Sequence, residues 1–229
     1  MKRFFDSELE SLRSDLFRMG EQVIALLRSV LEAYAKRDPQ LAQRVIAGDN
    51  EIDNLEVRID DEAIRYISLR APIATDLRTI VTGMKASHEL ERAADEITKI
   101  ARRIRSLSRE APLKISVDVV GMGTIAIAML RDALDCFLEG TEEKAMAVCR
   151  RDPEVDQLNR ELCDELTQMM TRSPDAVSRA VDLMFVSKAI ERIADHATNI
   201  AEETIFLFKA KDVRHTPETK RSTATGEEG

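Results

Sequence analysis

Apolar residues recur every three or four positions along nearly the whole chain. The first stretch shows the pattern best: Leu9, Leu12, Leu16, Met19, Val23, Leu26, Val30 and Ala33 alternate steps of three and four. Such spacing draws one apolar stripe down a helix and makes a seam suited to antiparallel helix packing. Proline supplies the punctuation. Pro39, Pro72, Pro112 and Pro174 each follow a polar or small residue and precede a long helical pattern, as a proline in a first helical turn does. Gly140-Thr141-Glu142-Glu143 marks a further start. The pattern predicts six helices, over residues 5–37, 39–69, 73–107, 113–139, 141–171 and 174–210. Each would be roughly 40–55 Å long at 1.5 Å per residue. The expected fold class is therefore all-α. From Lys211 onward the chain is polar, and residues 211–229 are expected to form a disordered tail.

A repeat organises these helices. Shifted by 103, residues 19–62 fall on 122–165 with 15 of 44 positions identical. Met19-Gly20 falls on Met122-Gly123, and Leu27-Arg28 on Leu130-Arg131. Shifted by 100, residues 76–101 fall on 176–201 with 10 of 26 identical, among them Glu91-Arg92 on Glu191-Arg192 and Ala94-Asp95 on Ala194-Asp195. The chain thus reads as two copies of one three-helix unit. A short linker and three whole helices per copy favour two tandem three-helix bundles, residues 1–108 and 109–210, over one six-helix bundle. Each is long enough to close a core.

Composition narrows the class. Apolar residues make up 44% and charged residues 33% of the 229 positions, too apolar for disorder. Aromatics at 4%, with eight glycines and six prolines, disfavour sandwiches and barrels. The net charge of −8 disfavours general nucleic-acid binding. No apolar run is long enough to span a membrane. Asp6, Glu8 and Glu10 follow the opening Met1-Lys2-Arg3 at once, so no signal region is read, and a cytoplasmic protein is expected. Cys136, Cys149 and Cys163 are too far apart for a CxxC site and odd in number, and read as reduced, apolar packing residues.

The chemistry lies in carboxylates. Four acidic pairs stand at i and i+4: Asp49/Asp53, Glu91/Asp95, Asp152/Asp156 and Glu191/Asp195. Residues four apart share a helix face, where like charges repel. With 42 acidic residues such pairs arise several times by chance. These four, however, fall at matching repeat positions: Asp49 on Asp152, Asp53 on Asp156, Glu91 on Glu191, Asp95 on Asp195. The first and second pairs lie at similar distances from the turn near Leu69–Pro72, so antiparallel helices would set four carboxylates level in each bundle. A hard cation compensates such a group; a solvated or salt-bridged face is the other reading of the same spacing. Gly48 and Pro153, beside the acids, are expected to bend or loosen their helices. His88, His196 and His215 have no Glu three residues earlier, which sets aside a ferritin-like di-iron motif. Gly121 and Gly123 lie in an apolar helix, with no phosphate-loop lysine after them, and are read as allowing close helix packing. No nucleophile–base pair stands out, so catalysis is not supported.

The sequence resembles the PhoU family of regulators of phosphate uptake. The resemblance rests on Leu90-Glu91-Arg92 with Asp95, and on Ile190-Glu191-Arg192-Ile193-Ala194-Asp195-His196-Ala197-Thr198-Asn199. Asp49-Asn50-Glu51-Ile52-Asp53, Asp152-Pro153-Glu154-Val155-Asp156, Asp76-Leu77-Arg78-Thr79-Ile80 and Val213-Arg214-His215 support it. It covers about residues 5–215. It implies two tandem three-helix bundles whose repeated acidic motifs hold iron, zinc or other divalent ions on the surface; manganese and magnesium suit the same donors. Asp49, Asp53, Glu91, Asp95, Asp152, Asp156, Glu191, Asp195 and Asn199 would be the ligands. It further implies a peripheral cytoplasmic regulator, often a homodimer, that restrains a phosphate ABC transporter through its ATPase subunit and quiets a PhoR-type sensor kinase. A metal-dependent enzyme acting on a phosphate compound, or a helical adaptor without metal, would use the same surface. The sequence departs from the family pattern at Ala94 and Ala194, where glycine is usual, and at Lys99, where the position of Asn199 recurs as a lysine.

Overall fold

The computed structural model describes residues 6–139 and 142–209. Six long helices fill them: α1 (Asp6–Lys36), α2 (Pro39–Arg70), α3 (Ala74–Leu107), α4 (Val119–Glu139), α5 (Glu142–Arg172) and α6 (Val177–Lys209). No strand occurs among the described residues. The tail expected at 211–229, with Val213-Arg214-His215, and the Gly140-Thr141 start lie outside them.

Local chemistry sets the boundaries. Asp38 caps α2: its Oδ1 accepts from the backbone N–H of Gln40 at 2.8 Å and of Leu41 at 3.0 Å, with Pro39 in the first turn. Ala71 ends that helix in the left-handed region, at φ 45°, its N–H donating to the Ile67 carbonyl. One expected boundary moves. Residues 113–118 are not helical, and α4 begins at Val119. The segment is held instead by α5: Ser116 donates its backbone N–H and hydroxyl to the Glu165 carboxylate. Asp118 then accepts from the Val120 N–H and starts the helix. A 3₁₀ turn at Pro174–Ala176 precedes α6. α2 and α5 continue as helices through Gly48 and Pro153.

α1, α2 and α3 pack on one another as the first bundle, and α4, α5 and α6 as the second. The bundles are joined along two seams, α3 against α6 and α1 against α4. The apolar seam read on α1 is therefore too narrow. Leu12, Leu16, Met19, Val23, Val30 and Ala33 are buried, but so are Ile24, Leu27 and Leu31, because α1 meets α4 as well as its own bundle. The buried apolar side chains of both bundles form one continuous cluster. At the α1–α4 seam a Cβ on Gly20 would collide with Leu134, and one on Gly123 with Leu31. These contacts are repeat counterparts, since Gly20 aligns with Gly123 and Leu31 with Leu134.

Candidate functional site

α2 carries Asp49 and Asp53 toward Glu91 and Asp95 of α3, and α5 carries Asp152 and Asp156 toward Glu191 and Asp195 of α6. In the second bundle, oxygens of Asp156, Glu191 and Asp195 all lie within 4.8 Å of one another. Burial pushes the Asp195 carboxyl up to about 7, and the neighbouring Glu191, Asp152 and Asp156 add to the effect. Asp152 is raised by burial and then by Asp156, although Thr198 donates to it at 3.3 Å. Glu191 is buried, and Lys188 reaches its two oxygens at 2.6 and 2.5 Å.

The first bundle closes differently. There Glu56, His88 and Glu91 bring one donor atom each within 4.8 Å, and His88 Nδ1 lies 3.0 Å from Glu56 Oε1. Burial raises Glu91, followed by Asp95, Glu56 and Asp53. Asp49 is raised by burial, then by Asp53 and Asp95. Glu56 and His88 were missed as site residues, although a signal was present. Glu56 stands one turn after Asp53 and His88 one turn before Glu91, so both share the faces of the acidic pairs. Asn159 and Lys188 hold their repeat positions in the second bundle.

Asn199 and Lys99 point elsewhere. Asn199 Nδ2 donates to Glu89 Oε2 at 3.0 Å, and His196 Nδ1 lies 2.7 Å from the same oxygen. Burial works against Glu89 ionising, yet those two hydrogen bonds hold its carboxyl below the usual range. Lys99 donates to Glu96 at 2.9 Å, not to Glu91 or Asp95, and Arg192 reaches Glu96 from the other bundle at 3.2 Å. Other pairs bridge α3 and α6. Lys85 holds Glu203 at 3.0 Å, Arg103 holds Asp182 at 2.9 Å, and the Arg103 guanidinium lies 4.3 Å over the Phe185 ring.

The donor set fits a hard or borderline cation. It is carboxylate oxygen throughout, with one imidazole at His88, and Asp49 Oδ1 is buried without a hydrogen-bond partner. Neither donor group includes a cysteine. Cys136 is buried, and burial pushes the Cys149 thiol up to about 12, leaving it protonated and inert. No described helix is long and apolar enough to cross a membrane.

A duplicated three-helix bundle with an acidic group repeated on each copy defines a class of all-helical tandem-repeat proteins. The model of the PhoU domain matches residues 16–104 and again 119–204, and the chain belongs to the PhoU family. It is 36% identical over 213 residues to a phosphate-specific transport system accessory protein PhoU homolog of Clostridium acetobutylicum, covering 93% of this chain and 97% of that protein. The crystal structure of PhoU from Pseudomonas aeruginosa superimposes with a TM-score of 0.87 at 36% identity, over 90% of this chain and all of that one. That of the phosphate transport system regulatory protein PhoU from Streptococcus pneumoniae gives 0.86 at 26% identity, over 91% and 99%.

Proposed function

We propose that this protein is a non-enzymatic regulator that holds back high-affinity phosphate uptake and phosphate-starvation signalling by contact. Its partners would be the ATPase subunit of a phosphate ABC transporter and a PhoR-type sensor kinase, met from the cytoplasmic side, with a homodimer as the working unit. Membership of a family whose relatives are named for the phosphate transport system supports the physiological half of this reading. The crowding of carboxylates around Asp195 carries the chemical half. Asp152, Asp156, Glu191 and Asp195 would hold a cation in the second bundle. Asp49, Asp53, Glu91 and Asp95, with Glu56 and His88 beside them, would hold one in the first. Iron, zinc, manganese and magnesium all suit these donors. With a cation bound, the carboxylates of α2 and α3, and those of α5 and α6, would be relieved of their mutual repulsion and held together.

Glu191→Ala combined with Asp195→Ala is expected to lower the metal bound per chain while keeping the helical circular-dichroism signal. Elemental analysis of protein purified without chelator decides the matter. A wild type that carries no metal and gains no melting temperature from added Mn²⁺, Fe²⁺ or Zn²⁺ sinks the metal reading. Deleting the gene is expected to leave phosphate-starvation genes expressed in phosphate-rich medium, and normal repression there would defeat the regulatory reading.

A further inference from the structure

The repeat builds one groove twice and gives the two copies opposite charge. The first groove lies over α3 between α2 and the C-terminal half of α6. Five carboxylates line it, Glu56, Asp60, Glu89, Glu202 and Glu203, against the single lysine Lys85. Its counterpart lies between the C-terminal half of α3 and the N-terminal half of α6. There Lys99, Arg103, Lys188 and Arg192 stand against Glu96 alone. The exchange is position by position: Glu203 becomes Arg103, Asn199 becomes Lys99, His88 becomes Lys188 and Lys85 becomes Phe185. The Lys85–Glu203 ion pair of one groove is thus the Arg103–Phe185 stack of the other.

Both grooves open on the same face. α3 and α6 run antiparallel, since Lys85 meets Glu203 at one end and Arg103 meets Asp182 at the other. A twofold axis that exchanges two antiparallel helices stands perpendicular to their plane, so it returns this face to itself. The grooves are fourteen residues apart along α3, or about 20 Å. Beyond each, the same helix ridge ends in apolar side chains open to solvent. Leu77 and Val81 are 38% and 37% exposed on α3, and Val177 and Val181 are 41% and 37% exposed on α6, while Phe185, 53% exposed, stands in the basic groove itself.

We infer that a second copy of this chain docks face to face on the α3–α6 ridge, acidic groove on basic groove. This rests on the homodimer of the proposed function and names its surface. Two isologous arrangements are open to a flat face with an acidic and a basic end. With the twofold axis along the helices, acid meets acid and base meets base. With the axis across them, each acidic groove meets the partner's basic groove, and the contact is made twice. Charge selects the second arrangement, in which α3 lies antiparallel on the partner's α3, and the apolar stripe of each α3 lies beside the far end of the other. Two helices about 10 Å wide and about 40 Å long offer on the order of 800 Å² per copy, the size of a standard specific interface.

Light scattering on the full chain tests this with two charge-reversed variants. Lys99→Glu with Lys188→Glu makes both grooves acidic; Asp60→Lys with Glu202→Lys cancels the acidity of the first groove and leaves the second basic. The wild type is expected to be dimeric at micromolar concentration and to dissociate as salt is raised. Each variant alone is expected to be monomeric with an unchanged circular-dichroism spectrum, and an equimolar mixture of the two to regain the dimer mass. Should the glutamate variant misfold, Phe185→Ser is expected to weaken the wild-type dimer at least tenfold. A wild-type dimer that neither variant disturbs overturns the proposed face and leaves the homodimer standing. A wild type that is monomeric throughout overturns both.

Discussion

Burial pushes the Asp195 carboxyl up to about 7, and the three carboxylates that share its surroundings add to the effect. Its folded-state pKa lies above the unfolded value, so the folded chain holds that proton more tightly. Stability associated with this group is present at low pH and is lost as pH rises from about 4 through about 7. Asp195→Asn in the presence of chelator is therefore expected to stabilise the fold at pH 8. After allowance for solvent screening, the gain is on the order of 1 kcal/mol, or about 2–4 °C in melting temperature. At pH 5 the gain should shrink toward zero, and a melting curve at each pH checks the sign. The eight acids of this chemistry were legible because duplication kept them at matching positions. Glu56 and His88 were legible only from their place on the same helix faces, because Asn159 and Lys188 replace them in the second copy and the repeat gives no signal there. The direction of Asn199 depended on a helix from the other bundle supplying Glu89.

Helix number and order were written in the three-and-four spacing and the prolines. What spacing could not reveal was how many sides of a helix are covered. α1 buries Ile24, Leu27 and Leu31 beyond its seam because α4 crosses it. The start of α4 was missed by six residues because Ser116 finds its hydrogen-bond partner on Glu165, 49 residues away. The α1–α4 crossing itself depends on two glycines. Gly123→Val is expected to destabilise the protein by about 2 kcal/mol, since overpacking a fitted site costs about 1–3 kcal/mol. Leu31→Val added to it should recover part of that loss, because Leu31 is the side chain in the way. Urea melts of the two single variants and the double measure the coupling.

A single apolar cluster runs through both bundles, so the molecule is expected to unfold as one unit. α3 and α6 bury Ala86, Leu90, Ala93, Ala94 and Ile97 on one side and Ile190, Ile193, Ala194, Ala197 and Ala201 on the other. Denaturant unfolding followed by circular dichroism and by a label on either bundle should give coincident transitions. A fragment of residues 1–110 is expected to be far less stable than the whole chain, because cutting there exposes the α3 and α1 surfaces that now face α6 and α4. Two separate transitions, or a fragment as stable as the parent, would contradict this.

The reciprocal seams set how freely each half can vary. Gly20 receives Leu134 and Gly123 receives Leu31, so each half presents the same socket and the same plug. A three-helix unit that carries both the socket and the plug has a self-complementary seam. Two separate copies of such a unit would present the seam symmetrically, so every substitution there would strike twice. Within one chain each position varies alone, and Lys85–Glu203 and Phe185–Arg103, the same contact by repeat position, are an ion pair on one side and a cation stacked on a ring on the other.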